Sequence, residues 1–467
     1  MTDSLYDKLA RELPGRLPMH MPGHKRQADL APYLRALRAD LDITEIEGFD
    51  NLHAPEGILR EGMARAARLW GAARSFYLVG GSTAGILAGM RALTRPGDKV
   101  LMQRGSHLSV YHGVALCGLT PAYLYPPQVP GFDAWGSVTP DLLRTALAAH
   151  PDARLLVLTC PGYEGILSDL PRLVNLAHEA GIRVLVDAAH GAHLGLGGGF
   201  PEGAVACGAA DIVVHSLHKT LPSLTQTGLA HAATEAVGEA LAEQLDVFQT
   251  SSPSYLLMAS IDGCLRLLEQ EGPPLFATWR QALEAFAERT AALRQLRLLT
   301  PAIAQEVVWG MDPGKLMLSC AGTDITGYAL HDTLRTRYGI DLEAAGPNTA
   351  LAMTGMGDTA DTLLCLAAAL REVDKGLCEA PMRHKGTLPQ PEAVMTPGEA
   401  LALPWQLVPM REAQGRVCAE YAICYPPGVP LAVPGERLSA EALTGMGEGP
   451  LLTTRSKHAP THIAVLR

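Results

Sequence analysis

"DIVVHSLHKTLPSLTQTG", residues 211–228, begins as an apolar run and ends in hydroxyls, an amide and a glycine. "DIVVHS" (211–216) has the nearly continuous apolar character of a strand covered on both faces. Lys219 stands where that strand gives way to a loop. Lysine is among the residues least often fully buried. A solvated surface lysine is the plain reading of such a position. An amine placed to lose its proton and attack a carbonyl is the chemical one. Ser216, His218 and the polar "TQTG" beside it favour the second.

The same strand type recurs upstream. "DKVLMQ" (98–103), "ARLLVLTCP" (153–161) and "IRVLVDAA" (182–189) read as strands, and "SDLPRLVNLAHEAG" (168–181) as a helix with a Ser start and a Gly stop. Repeated strand-helix-strand units predict a doubly wound, mainly parallel sheet, with ligands gathered at the carboxyl ends of its strands. Residues 255–300 read as helical and 301–375 as a smaller α/β unit. "CEAPMRHKGTLPQPE" (378–392) reads as a linker. "YPPGVPLAVPGE" (425–436) is proline-rich enough to predict a rigid loop in a terminal domain.

The chain has 467 residues, 48% hydrophobic, with a net charge of −10 and no Lys/Arg-rich tract. That length supports two or three domains, and the charge disfavours a nucleic-acid partner. The N-terminus lacks a secretory pattern, and no segment has the length and freedom from charge of a membrane span. Nine cysteines without a CxxC pair fit reduced thiols. The expectation is a soluble cytoplasmic protein without nucleic-acid or membrane partners.

Other strand ends carry further candidates. Asp187 closes an apolar strand, where a carboxylate is costly unless it meets a cation or hydrogen bonds. The protonated ring nitrogen of pyridoxal phosphate is one such partner, and a helix cap or structural ion pair is another. In "YLVGGSTAGILAGMRAL" (77–93) two glycines precede Ser82 and Thr83, which open a helix whose free N–H groups favour an anion. A simple cap explains the two hydroxyls equally well. His107 follows another strand and offers a flat ring for stacking. The His-x-x-His pairs in "HGAH" (190–193) and "HSLH" (215–218) raise a metal site, but neither lies in an HExxH helix. No metal is expected.

Eight blocks occur in order: "HMPGHKR" (20–26), "DITEIEGFDNLHAPEGIL" (42–59), "GGSTAGI", "GSHLSVYHG", "VDAAHGAHLG" (186–195), "HSLHKTLPSLTQTG", "QTSSPSYLLMASID" (249–262) and "YPPGVPLAVPGE". Together they resemble the bacterial ornithine/lysine/arginine decarboxylase family, in a short form without the N-terminal wing domain. The resemblance runs from about residue 18 to 436.

The resemblance implies a fold type I, aspartate aminotransferase-like α/β architecture. Its parts would be an N-terminal segment (1–50), a large cofactor-binding domain (51–275), a small α/β domain (276–380), a linker (381–392) and a C-terminal domain (393–467). It implies pyridoxal 5'-phosphate bonded to Lys219, with Asp187 on the pyridine nitrogen, His107 stacked on the ring and Ala189 on the opposite face. His190 joins the cofactor residues. Ser82, Thr83, Ser216 and His218 would bind the phosphate, and Ser251 and Ser252 would reach a phosphate across a homodimer interface. Lys219 or His218 would return a proton after loss of carbon dioxide. Glu436 is the candidate for the cationic tail of a basic amino-acid substrate.

The implied reaction is decarboxylation of arginine, lysine or ornithine to an amine, serving polyamine metabolism. An aminotransferase or aldolase reaction, or a retired regulatory paralogue, are the alternatives. Departures from the family pattern bear on the substrate pocket. Gly105 and Leu108 flank His107, "PGYEG" (161–165) has glycine at 162, and Ala188 stands between Asp187 and Ala189.

Overall fold

The computed structural model describes residues 4–207, 210–303, 307–383, 390–424, 428–447 and 451–467. The chain forms two compact units. The first takes Met1–Leu93, Leu185–Arg280 and Gly355–Gly357, and the second takes the remainder.

The first unit carries strands in the order Arg74–Leu78, Gly228–Ala232, Ile212–Ser216 and Arg183–Asp187, the last contributing from Leu185 onward. Arg183–Asp187 runs parallel to Ile212–Ser216, as expected. Gly228–Ala232 runs antiparallel to both of its neighbours. The 217–227 connection is too short for the helix a parallel crossover needs, so the chain turns back on itself. The helix Gly81–Leu93 lies close on this sheet because Gly85 and Gly89 face it. A Cβ at Gly85 would meet Leu78 at 2.7 Å and Val214 at 2.9 Å, and one at Gly89 would meet Leu185 at 2.6 Å. Only glycine lets the backbone approach this near.

In the second unit, Lys99–Gln103 pairs in parallel with Thr120–Leu124 on one side and Ala153–Thr159 on the other. The helix Leu170–Glu179 matches the predicted one, but its cap is Asp169, whose side chain accepts the Arg172 N–H. The Ser168 hydroxyl instead accepts the Val138 N–H at 2.9 Å. A separate antiparallel sheet runs Arg297–Leu298, Lys315–Ser319, Thr349–Met353, Ala344–Ala345, as the smaller α/β unit requires.

The C-terminal region packs Ala413, Cys418, Ala432, Leu438, Ile463 and Val465 into one core. Here the structure differs from the expected proline loop: Val429–Ala432 is a strand paired with Ala422–Cys424. It lies at the edge of a three-stranded sheet, where Pro430 removes no interior ladder bond. Residues 425–427 of the quoted motif, and 384–389 of the expected linker, lie outside the described residues. Among the described residues no helix is long and apolar enough to cross a membrane.

Candidate active site

The strand Ile212–Ser216 is fully buried and runs into a short 3-10 turn, Leu217–Lys219. That turn is held at both ends. The Leu217 N–H donates to the Thr227 carbonyl at 3.1 Å, and the Thr220 carbonyl accepts the Met356 N–H at 3.0 Å. Lys219 is half-buried rather than enclosed, and its Nζ stands 2.8 Å from Nε2 of His190. A neutral imidazole accepts there, which points the amine at a base instead of at bulk water.

His190 reaches Lys219 from the turn after Asp187. Asp187 is 4% exposed, and its Oδ1 accepts the Ala189 N–H at 3.2 Å. Ala189 is buried in the same turn. The Ser216 and Thr220 hydroxyls are buried and find no hydrogen-bond partner among the described residues. Buried polar groups are nearly always satisfied, so two such hydroxyls flanking Lys219 mark a place where a polar ligand is expected.

His218 donates from Nδ1 to the Thr227 carbonyl at 2.9 Å, leaving Nε2 as the acceptor of the neutral ring. Burial lowers its pKa below the ordinary histidine value, and the neighbouring Lys219 charge adds to this against the Thr227 bond. The helix Gly81–Leu93 begins beside the same hairpin, because the Gly81 N–H donates to the Gln226 carbonyl at 2.9 Å. Ser82 and Thr83 in its first turn are accessible, so hydroxyls and helix N–H groups are presented together.

Two glutamines that sequence reasoning did not single out lace this glycine loop. Gln226 donates to the Val79 carbonyl at 2.6 Å. Gln249 accepts the Val79 N–H at 3.0 Å and donates to the Tyr77 carbonyl at 3.2 Å. Gln226 has φ +83°, a conformation unusual for a non-glycine residue. Ser251 and Ser252 are exposed on the loop that follows Gln249. His53 anchors that loop, with Nε2 donating to the Thr250 carbonyl at 2.8 Å and Nδ1 to Asp246 at 2.7 Å. Burial pulls the His53 pKa down, but the carbonyl and Asp246 outweigh it, and the net shift is upward.

His107 and Glu436 belong to the second unit. His107 caps the helix Leu108–Leu116, its Nδ1 accepting the Ser109 N–H at 3.2 Å, and it is exposed. Next to it the Ser106 hydroxyl is fully buried and without a partner. Glu436 is 3% exposed, and its Oε2 is ion-paired with Arg104 at 3.4 Å. Its Oε2 also accepts the Val433 N–H at 2.9 Å, while its Oε1 is buried and finds no hydrogen-bond partner among the described residues.

A family model for the major domain of Orn/Lys/Arg decarboxylases matches residues 17–331, and one for their C-terminal domain matches residues 381–446. The chain belongs to the Orn/Lys/Arg decarboxylase family. Arginine decarboxylase of Bacillus subtilis is 31% identical over 435 residues, covering 91% of this chain and 89% of that one. The crystal structure of Francisella novicida lysine decarboxylase superposes with a TM-score of 0.82 at 17% identity, over 99% of this chain and 81% of that one. An alanine–glyoxylate aminotransferase from Nostoc superposes with a TM-score of 0.54 at 18% identity, over 68% of this chain and 86% of that one. These likenesses show the fold type I architecture. Family membership makes the chain an enzyme of the amino-acid decarboxylase class.

Proposed function

We propose that this family member decarboxylates a basic amino acid with pyridoxal 5'-phosphate, held by Lys219. One observation carries the reading: the Lys219 amine faces the His190 imidazole at a strand end flanked by buried hydroxyls without partners. Ser216 there suits a phosphate oxygen, and Ser82, Thr83 and the first-turn N–H groups supply further donors. When bound, pyridoxal phosphate supplies an electron sink for the pair left as carbon dioxide departs.

The chain's own groups do the rest. Asp187, held by Ala189, is the buried carboxylate that keeps a pyridine nitrogen protonated. His190 accepts a hydrogen bond from Lys219 and so fixes the direction in which the amine points. Lys219 or His218 returns a proton to the substrate carbon, and Ala189 keeps one ring face unobstructed. His107 would stack on the ring. Ser251 and Ser252, exposed in one chain, fit contacts to the phosphate of a second copy in a homodimer.

Arginine is the favoured substrate, because the Bacillus subtilis relative carries that activity in its name. Lysine and ornithine complete the class, and a polyamine role in the cytoplasm follows from such products. The test offers purified chain, with pyridoxal phosphate added, arginine, lysine and ornithine separately while amine and carbon dioxide are measured. Release from one of the three is expected. A cofactor-loaded chain that releases carbon dioxide from none of them ends the proposal.

A further inference from the structure

We propose that Arg104 and Glu436 are positioning residues for His107: the C-terminal strand Val429–Ala432 and its following turn grip the loop that presents the imidazole. The inference rests on the reading that His107 faces the cofactor.

Arg104 follows the strand Lys99–Gln103 directly and lies three residues before His107. Its guanidinium is buried and closely matched. Nη1 donates to the Tyr111 hydroxyl at 2.7 Å and the Pro430 carbonyl at 2.8 Å, and Nη2 to the Leu431 carbonyl at 3.2 Å and Glu436 at 3.4 Å. The plane lies over the rings of Tyr111 and Tyr123, 5.6 and 5.2 Å from their centroids. Glu436 in turn accepts the Val433 N–H at 2.9 Å.

On the other side of His107, the Leu108 N–H donates to the Gly428 carbonyl at 3.1 Å. The Tyr421 hydroxyl donates to the Tyr111 carbonyl at 3.3 Å, one turn further along the same helix. His107 is therefore bracketed by two residues, Arg104 and Leu108, each bonded to the 428–436 segment. Gly105 completes the fit, since a Cβ there would stand 2.8 Å from the Trp135 ring. This accounts for glycine at position 105.

A buried ion pair is weak evidence for stability, because a well-packed apolar pair often does as well. What an apolar pair cannot reproduce is the fixed fork of the guanidinium, which sets register between two segments far apart in sequence. The pair's distinctive contribution is thus the direction of the loop rather than the cohesion of the fold.

The test uses the full chain, Glu436→Gln, and the double variant Arg104→Met with Glu436→Leu. Hydrogen exchange of the 104–110 amides is measured on cofactor-free protein, and pyridoxal phosphate affinity by titration. In both variants, exchange at Leu108 to Val110 should quicken and cofactor affinity fall by about tenfold, the scale of one charged hydrogen bond lost. The double variant also orphans the Pro430 and Leu431 carbonyls and the Val433 N–H, so its melting temperature should fall, whereas Arg104→Lys should stay near the parent and so separate positioning from stability. If Glu436→Gln does not fold, Arg104→Lys, which keeps the charge and loses the fork, should show the same two changes in smaller measure. Parental exchange and parental affinity in a folded double variant would overturn the proposal. Exchange judges the clamp by itself, so a parent chain that takes up no pyridoxal phosphate would sink only the cofactor reading.

Discussion

At the end of Lys99–Gln103 the side chain of Arg104 meets a phenol, two carbonyls and a carboxylate. At the end of Ile212–Ser216 the buried hydroxyls of Ser216 and Thr220 find no hydrogen-bond partner among the described residues. Both strand ends are buried, and both place a basic residue just beyond the last strand residue. At the first the basic side chain is met on both terminal nitrogens by its own protein, and at the second buried hydroxyls stay unmatched among the described residues. Since an unsatisfied buried polar group costs about 1–3 kcal/mol, the second arrangement is retained at a cost to the fold. Saturation marks where the molecule holds itself together, and its absence marks where something else is meant to bind. Ser106, buried and unpartnered beside His107, belongs with the second kind although it sits in the loop of the first.

The contrast breaks most sharply at Lys219. Replacing it with alanine should lower turnover by about 10,000-fold, or roughly 5 kcal/mol of barrier, while the fold persists. In the parent, borohydride reduction followed by peptide mapping should place a pyridoxyl label on Lys219, and a label on Lys25 or Lys99 would refute the assignment. Next in size is Asp187→Asn, which keeps the shape and removes the charge. Turnover should drop by at least about 100-fold, roughly 2.7 kcal/mol. Near-parental turnover with cofactor bound would make Asp187 a purely structural group.

Ser216→Ala sharpens the comparison at smaller scale. The hydroxyl has no hydrogen-bond partner among the described residues, so its removal should leave thermal stability unchanged or slightly higher. Cofactor affinity should fall about tenfold, as for one hydrogen bond to a charged ligand. A loss of stability without a loss of affinity would reverse the meaning given to unpartnered hydroxyls.

The smallest effect is expected at His53, which saturates the Thr250 carbonyl on the serine loop. Its pKa is raised in the folded chain, so its stabilising contribution is complete below the unfolded value of 6.5 and is lost as pH rises through the folded value. Melting curves of the parent and of His53→Gln should therefore converge as pH rises above 6.5. A gap that widens with rising pH would show that His53 is held neutral.

Much of the lysine end was legible because residue type and strand rule coincide there. An amine, a carboxylate and small hydroxyls at the carboxyl ends of apolar runs need no long-range information to be noticed. The Arg104–Glu436 pair joins positions 332 residues apart, and no local period announces it. The sequence offers Glu436 as a carboxylate for a substrate's cationic tail, and its Arg104 partner lies too far along the chain to be seen there. The strand Val429–Ala432 was hidden by its proline, which an edge position tolerates and an interior one would not. Gln226 and Gln249 act on backbone groups, and such bonds leave no pattern of spacing or charge.

The bond from the Met356 N–H to the Thr220 carbonyl has a bearing on how the chain is made. Nearly all of the first unit has been synthesised by Arg280, yet this clasp on the lysine turn comes from Gly355–Gly357. At ordinary rates of translation, the ribosome adds Met356 roughly ten to thirty seconds after Thr220. During that interval the nascent chain already carries its reactive amine but not the last contact that shapes the turn around it. A nascent chain stalled before residue 355 should thus hold Lys219 in a looser turn, its amine open to indiscriminate aldehydes before the finished site can choose among them.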